Sequence, residues 1–194
     1  MRTAAEVFGV PADQVSAEQR RVAKMVNFGI AYGLSPYGLA TRLDIPQEEA
    51  AAIIERYFAR YTGIRRYLDE TVASARRTGV VETLFGRRRL MEDLHSTNRA
   101  TAQAAERAAI NMPIQGTAAD LIKMAMLRID TGLRERGLRT RMLLQVHDEL
   151  LLEAPEVELE EASVLVRTAM AGVASLRVPL RVDLGVGQSW AEAH

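Results

Sequence analysis

The chain has no cysteine, no excess of charge of either sign and no long apolar run. The lack of cysteine excludes disulfides and thiolate metal sites. A formal net charge of zero excludes a bulk basic surface, so binding to nucleic acid would have to come from local patches. No segment resembles a signal peptide or is apolar enough to span a membrane, and we therefore expect a cytoplasmic protein.

Lysine is also scarce. Lysine and arginine together number 25, but only Lys24 and Lys123 are lysine. Lysine is a compact point charge, whereas arginine presents a planar fork of donors. Lys24 therefore stands out in a chain that otherwise uses arginine, although chance alone is an alternative explanation.

The rest of the composition is that of an ordinary globular protein. The 194 residues are 48% hydrophobic and 26% charged. This length allows one large domain or two small ones.

Residues 16–33 predict a helix of about four turns. Ser16 is a good N-cap, and Gln19 follows three residues later, as in a capping box. Glu18 lies in the first turn, where the helix dipole favours a negative charge. Gly33 is a typical helix end.

This helix has two unlike faces. One row, at four-residue spacing, combines two cations with two aromatic rings, and the row on the opposite side is aliphatic. The first row is Arg20, Lys24, Phe28 and Tyr32, and the second is Val22, Val26 and Ile30. Cations followed by rings suit a ligand with phosphates at one end and a flat base at the other. The alternative is a surface helix whose rings pack under a neighbouring loop.

Helical spacing predicts further short helices up to residue 79, which indicates a helical subdomain. One helix follows Pro46 and ends at Gly63, and the next ends at Gly79. Residues 80–84 have strand character and lead into a basic turn at 86–89, which predicts a small hairpin.

The second half predicts a mixture of helices and strands. A helix capped by Ser96 or Thr97 runs to about Asn111, and Pro113 and Gly116 then break the pattern. A second capping box at residues 117–120 opens another helix, which ends near residue 137. A helix follows residue 155, and residues 178–184 alternate with the period of a strand.

Acidic residues stand between two apolar runs, 142–146 and 150–152. His147, Asp148 and Glu149 separate these runs, which predicts a hairpin over about 141–153 with two carboxylates at its tip. The tip lacks the Asn-Gly or Asp-Gly of a tight hairpin. Adjacent like charges are costly unless a cation compensates them, and carboxylates on a rigid hairpin suit hard Mg²⁺. The alternative is an exposed acidic turn.

Two further features are compatible with nucleic acid. The basic turn at Arg87 could hold a phosphate backbone, or it could be an ordinary solvated loop. The second feature is the pair of amides at Asn111 and Gln115, which flank the predicted helix break and could donate hydrogen bonds to acceptors on bases or simply cap helices.

Five strings in the chain resemble family A DNA polymerases, the DNA polymerase I type. They are Arg20-Arg21-x-x-Lys24-x-x-Asn27-Phe28-Gly29-x-x-Tyr32-Gly33, Phe85-Gly86-Arg87-Arg88-Arg89, Asn111-Met112-Pro113-Ile114-Gln115-Gly116-Thr117, Gln145-Val146-His147-Asp148-Glu149 and Gly185-Val186-Gly187-Gln188-Ser189-Trp190. The resemblance covers essentially the whole chain. It implies an α+β fold: a helical fingers subdomain over residues 1–95, and a palm over 96–194 with an antiparallel sheet and flanking helices.

The resemblance also implies a role for the cationic and aromatic row. Arg20 and Lys24 would bind the phosphates of an incoming dNTP, and Lys24 would be a proton donor to pyrophosphate. Phe28 would stack on the sugar and base, and Tyr32 would lie beside the templating position. The reaction would be template-directed nucleotidyl transfer from dNTP to a primer 3′ hydroxyl.

The remaining roles implied by the resemblance concern primer-template DNA. Arg87, Asn111, Gln115, Gln145 and His147 would contact DNA, the two helix amides at the minor groove and the last two residues near the primer terminus.

The acidic pair would complete the catalytic set. Asp148 would be catalytic and a metal ligand, and Glu149 would be a second catalytic candidate. Two Mg²⁺ ions would assist the reaction.

One departure from the family pattern affects activity. The family has another metal-binding aspartate in an Asp-Tyr-Ser-Gln-Ile-Glu type of motif upstream of the nucleotide helix, and no such motif occurs here. We therefore expect a C-terminal fragment or the product of a truncated frame, inactive alone and in need of an N-terminal polymerase segment. Two other hypotheses remain: a non-catalytic DNA-binding remnant, and one half of a split polymerase.

Overall fold

The computed structural model describes residues 2–193 and has an α+β fold. Helices dominate, and the strands form two small antiparallel sheets. The helices are α1 (Arg2–Phe8), α2 (Ala17–Ala31), α3 (Pro36–Leu43), α4 (Gln47–Arg60), α5 (Thr62–Thr78), α6 (Arg99–Glu135), α7 (Leu159–Ala171) and α8 (Trp190–Ala193). The strands are β1 (Val80–Glu82), β2 (Arg88–Leu90), β3 (Arg141–Val146) and β4 (Glu149–Glu153).

The chain divides into two compact units, and the division falls within α6 between Gln115 and Gly116. The predicted boundary between fingers and palm at residues 95 and 96 is a functional assignment and stays a prediction. No helix in residues 2–193 combines the length and apolar character needed to cross a membrane.

The predicted capping box begins α2, as expected. The Gln19 amide donates to Ser16 Oγ at 3.1 Å, and the Ser16 amide donates to Gln19 Oε1 at 2.9 Å. These two reciprocal bonds satisfy amides that the helix start would leave without partners. Tyr32 caps the other end, and Gly33 follows with a φ of 72°, which glycine adopts without steric cost.

The aliphatic row of α2 lies in the helical core of the first unit. Val26 and Ile30 are buried there, and Val22 is partly buried. The core also takes residues from the helices that follow, namely Leu39, Ala40, Ala50, Ile53 and Tyr57. Burying one such aliphatic side chain stabilises the fold by about 1.5–3 kcal/mol. This packing fixes which face of α2 remains available to solvent.

The predicted helix end at Gly63 is wrong. Helix α4 ends at Arg60, and Tyr61 alone separates it from α5, so Gly63 lies inside α5. Tyr61 has φ −110° and ψ 59°, outside the helical region, and it makes the break that glycine was expected to make. Gly79 does end α5, as predicted, with a φ of 71°.

The predicted break at Pro113 and Gly116 is also wrong. Helix α6 runs unbroken through both residues for 37 residues, and Asn98 rather than Ser96 or Thr97 caps it. A proline inside a helix costs about 3 kcal/mol, but its φ is helical. Burial of α6 side chains on both sides of Pro113 offsets that cost, at Ala105 and Ala109 before it and at Ile122, Ala125 and Ile129 after it.

Helix α7 packs against the second half of α6 in the second unit. Ile129 and Leu133 of α6 form a core with Leu165, Val166 and Ala169 of α7. The approach is close at Gly132, where a Cβ would lie 2.6 Å from Leu165 Cδ1. Met142, Leu150 and Leu152 of the β3–β4 hairpin pack on the same core.

The strand predicted over residues 178–184 does not form in the described part of the chain. This segment has no regular structure, and β3 and β4 pair only with each other. Alternation of apolar and polar residues predicts a strand only where a partner strand supplies the hydrogen bonds.

Candidate functional site

The cationic face of α2 consists of Arg20, Lys24, Phe28 and Tyr32, and the structure places it as predicted. Arg20 and Lys24 are exposed, and Phe28 is 53% exposed, whereas Val26 on the opposite side is fully buried. An exposed phenyl ring beside two cations, on a helix whose other face is packed, is unusual for a purely structural helix.

A shallow cavity of about 630 Å³, more open than enclosed, lies on this face. Its volume lies in the range of small-ligand sites. Helices α1 and α2 line it together, with Thr3, Ala4, Ala17, Arg20, Arg21, Ala23, Lys24, Asn27 and Phe28. Three cations in one cavity favour an anionic ligand.

The three cations of this cavity differ in their partners. Arg21 donates to both carboxylate oxygens of Glu18, at 2.9 and 2.5 Å, and this hydrogen bonding lowers the pKa of Glu18. The charge of Arg21 is therefore largely compensated. Across residues 2–193, Arg20 and Lys24 have no carboxylate within ion-pair distance. The two predicted phosphate ligands are thus the cations that remain uncompensated.

The two aromatic rings of the face lie side by side. The ring centroids of Phe28 and Tyr32 are 6.4 Å apart, with 16° between the ring planes. Phe28 lines the cavity, but Tyr32 lies half-buried at the end of α2 and outside the cavity lining. The structure therefore groups Phe28 with the cations and places Tyr32 behind it.

The basic turn between β1 and β2 is held by Thr83. Its hydroxyl accepts hydrogen bonds from the amides of Phe85 and Arg87, at 3.3 and 3.1 Å, and Gly86 turns the chain with a φ of 82°. The side chain of Arg87 is exposed at this turn. Arg88 pairs with Glu82 across the hairpin at 2.8 Å, so the cation next to Arg87 is already compensated.

The two candidate amides lie on one continuous helix, because α6 does not break. Gln115 is exposed. Asn111 is partly buried, and its Oδ1 atom is buried with no hydrogen-bond donor among the described residues. A buried acceptor without a partner costs about 1–3 kcal/mol. The unpaired oxygen of Asn111 therefore lowers the stability of the fold.

The acidic hairpin, β3–β4, forms where predicted, but its tip differs. His147 and Asp148 alone make the turn, and Glu149 is the first residue of β4, paired with Val146. His147 takes the positive φ of 55° that a two-residue turn needs, a conformation that costs a non-glycine residue about 1–2 kcal/mol. The Gln145 side chain donates to the His147 carbonyl at 2.8 Å and stabilises this turn.

The base of the acidic hairpin is anchored by Glu158. Its carboxylate accepts hydrogen bonds from the amides of Arg139 and Thr140, at 3.1 and 2.9 Å, and from the Thr140 hydroxyl at 2.9 Å. Burial alone would raise the pKa of Glu158, but these bonds outweigh it and hold the pKa below its usual value. Nothing in the sequence pattern distinguished Glu158 from the neighbouring glutamates.

The acidic hairpin offers the type of ligand atom that Mg²⁺ prefers, but it offers too few of them. Asp148 is exposed at the tip, and its carboxylate oxygens are ligands that Mg²⁺ prefers. Within residues 2–193, no three carboxylate or imidazole side chains cluster closely enough to hold a metal ion. Asp148 therefore fits as one ligand of a site that needs further ligands from water, substrate or other protein groups.

Thr3 and Ala4 are the cavity residues that the sequence did not reveal. They line the cavity because α1 packs beside α2, a tertiary contact with no local signal. Arg21 could have been noticed from its place next to Arg20, although its pairing with Glu18 shows only in the structure.

Comparison with known proteins shows which family the whole sequence resembles. The family model described as DNA polymerase family A matches residues 1–192. DNA polymerase I of Pseudomonas aeruginosa is 54% identical over 99% of this chain and 21% of the relative. The thermostable DNA polymerase I of Thermus thermophilus is 50% identical over 99% of this chain and 23% of the relative. The chain thus spans about a fifth of the length of these curated relatives.

One solved structure gives the same result in three dimensions. It is the POL domain of Pol1 from M. smegmatis, in a complex with DNA primer-template and dNTP. The TM-score is 0.94 at 50% identity, over 98% of this chain and 34% of that one. The fold expected from the sequence is therefore confirmed.

Proposed function

Because the chain belongs to DNA polymerase family A, we propose that it is the nucleotide-binding and metal-binding part of a DNA-directed DNA polymerase. The complete enzyme transfers a nucleotidyl group from dNTP to a primer 3′ hydroxyl under the direction of a template. The observation that carries this proposal is the cavity of about 630 Å³, where two uncompensated cations adjoin an exposed phenyl ring.

The cationic face binds the dNTP. Arg20 and Lys24 hold phosphate oxygens through charge-assisted hydrogen bonds, which are about twice as strong as neutral ones. Phe28 offers the sugar and base an apolar surface, and Tyr32 supports the ring of Phe28 on the side of the templating base. Lys24 also donates a proton to the departing pyrophosphate.

Primer-template DNA is bound by polar side chains of both units. Asn111 and Gln115 donate to minor-groove acceptors, which every base pair presents, and so test pair geometry without reading sequence. Arg87 binds a backbone phosphate. His147 and Gln145 lie at the primer terminus, where Gln145 also stabilises the turn.

The chemistry takes place at the primer 3′ oxygen, which attacks the α-phosphorus as the bond to pyrophosphate breaks. Asp148 would hold Mg²⁺, with Glu149 as a neighbouring carboxylate, and two such ions, when bound, would supply positive charge for the oxygens that become more negative in the reaction. Arg20 and Lys24 stabilise the charge that develops on the leaving phosphates.

Residues 1–95 are assigned to the fingers and residues 96–194 to the palm, as the sequence predicted. Activity requires a further aspartate that these 194 residues do not carry, in keeping with the absence of a three-ligand cluster within residues 2–193. The enzyme works in the bacterial cytosol, in replication and repair.

Primer extension tests this proposal. The chain alone should extend no primer, and addition of the preceding segment of a curated relative should restore template-dependent extension. Asp148→Ala should abolish the restored activity, while Asp183→Ala, at an aspartate with an 81% exposed side chain in the same unit, should not. Extension by the chain alone would show that Asp148 needs no further aspartate. No extension by the combined pieces would argue for a non-catalytic DNA-binding remnant.

A further inference from the structure

Helix α1 contributes two residues to the lining of the cavity on the cationic face. Thr3 and Ala4 of α1 line the cavity together with Arg20 and Lys24 of α2. Ala4 is almost completely buried, so α1 packs closely there. The shape of the phosphate-binding cavity therefore depends on where α1 lies.

One carboxylate, besides the buried Ala4 and the packed Phe8, anchors this short helix. Glu6 of α1 accepts hydrogen bonds from Arg60 Nε at 3.2 Å and from the Tyr61 hydroxyl, and Arg60 Nη2 lies 3.1 Å from the same carboxylate. Arg60 ends α4, and Tyr61 is the residue between α4 and α5. A helix of seven residues is far too short to be stable without such tertiary contacts.

The Tyr61 hydroxyl joins this anchor to the cavity wall. Its single proton is donated to Glu6, so at its 3.5 Å contact with Thr3 Oγ1 the tyrosine oxygen acts as the acceptor. The ring of Tyr61 packs on Tyr57, with centroids 4.8 Å apart. Tyr57 lies in the same core as Val26 and Ile30, which hold α2 in place. One continuous set of contacts thus connects both walls of the cavity.

The charges of the anchor are also balanced. A carboxylate near a site for triphosphate would repel the ligand, but Arg60 compensates Glu6. The side chain of Glu6 is only 23% exposed, which lessens the screening of its charge by water.

We propose that Glu6 is a positioning residue for the triphosphate site. With Arg60 and Tyr61 it holds α1 against α4, so that Thr3 and Ala4 line the cavity beside Arg20 and Lys24. This inference rests on the proposed function of the cationic face. Glu6 itself does not line the cavity, so its effect on nucleotide binding is exerted through α1.

Binding experiments on the 194-residue chain test this role. Isothermal titration with dATP and Mg²⁺, and separately with primer-template duplex, would compare the wild type with Glu6→Gln and Tyr61→Phe. Hydrogen exchange of peptides from α1 would report its docking. Glu55→Gln is the matched control, because Glu55 is exposed on α4 and takes no part in the anchor. Lys24→Ala reports the cationic face itself.

The expected result is specific to the nucleotide. Glu6→Gln should weaken dATP binding about fivefold or more, at the lower end of typical coupling between sites, and should speed exchange in α1. Tyr61→Phe should act in the same direction, and Glu55→Gln should change neither quantity. Affinity for duplex should hardly change.

Two outcomes would overturn the inference, and they differ in their meaning for the proposed function. In the first outcome, Glu6→Gln and Tyr61→Phe bind dATP with wild-type affinity while Lys24→Ala binds it more weakly. This outcome would remove the role of Glu6 and leave the assignment of the cationic face intact. Failure of the wild-type chain to bind dATP, or an unchanged affinity in Lys24→Ala, would overturn the nucleotide site and this inference together.

Discussion

The cationic face of α2 and the acidic hairpin have opposite charges and are built in opposite ways. The face uses a regular helix, closed by a neutral capping box, and derives its arrangement from the four-residue spacing of side chains. The hairpin uses backbone geometry: a non-glycine residue at positive φ forms its tip, and the ionised Glu158 holds its base. The face is therefore a rigid, unstrained surface, whereas the hairpin contains strain and depends on a charged anchor.

This difference shows where each region tolerates change. Substitutions on the face should alter ligand binding with little effect on folding, because its side chains are exposed. Substitutions in the hairpin should alter stability as well, because His147, Gln145 and Glu158 maintain its backbone.

A large effect is expected on the cationic face. In the combined enzyme, Phe28→Tyr should raise the use of dideoxynucleotides about tenfold, since a tyrosine hydroxyl can replace the missing 3′ hydroxyl with a hydrogen bond worth about 1 kcal/mol or more. Use of ordinary dNTP should change little. Steady-state incorporation kinetics would measure both, with Phe85→Tyr, on the basic hairpin, as the control. Equal dideoxynucleotide use by wild type and Phe28→Tyr would remove this role from Phe28.

Glycine substitutions should have a smaller effect on the free energy of unfolding, and the effect should differ in sign between the acidic hairpin and α2. His147→Gly should raise the free energy of unfolding by about 0.5–1 kcal/mol, because glycine adopts a positive φ without steric cost. Ala23→Gly within α2 should lower it by about 1 kcal/mol, because glycine disfavours a helix interior. Urea unfolding would measure both. A loss of stability in His147→Gly would show that the tip is not strained.

The smallest effect concerns pH. The pKa of Glu158 is lowered in the folded chain, so its contribution is fully present above its unfolded pKa and is lost as the pH falls through the folded value. The protection factors for hydrogen exchange at the amides of Arg139 and Thr140, which donate to Glu158, should therefore fall in acid. Glu158→Gln should remove this pH dependence and lower protection at neutral pH. Glu160→Gln, on the exposed side of α7, should behave as wild type, and an unchanged acid response in Glu158→Gln would place the titrating group elsewhere.

The sequence predicted the regular parts of the molecule well. The ends of α2 and its two faces follow from local rules for caps and periodicity, and the exposed Arg20, Lys24 and Phe28 lie on the side that the spacing predicted. The helix break expected at Pro113 was wrong because packing along α6 outweighs the local cost of proline. The strand expected over 178–184 was wrong because no strand within the described residues pairs with it.

The parts of the site that sequence could not reveal depend on contacts between distant residues. Thr3 and Ala4 enter the cavity because α1 packs on α2, and Glu6 is separated by more than 50 residues from the partners that fix it. The tip of the acidic hairpin lies between these cases. Its position was predicted. That His147 adopts the positive φ and that Glu149 belongs to β4 depends on the register of the two strands.

Direct titration of the chain with dATP, with deoxyadenosine as the comparison ligand, tests the assignment of the cationic face to triphosphate. Lys24→Ala should weaken dATP binding about tenfold or more, since a hydrogen bond to a charged group contributes about 1.5–3 kcal/mol, and it should leave deoxyadenosine binding unchanged. Lys123→Ala removes the only other lysine and should bind dATP as the wild type does. Equal losses for both ligands, or no loss in Lys24→Ala, would contradict a triphosphate site on α2.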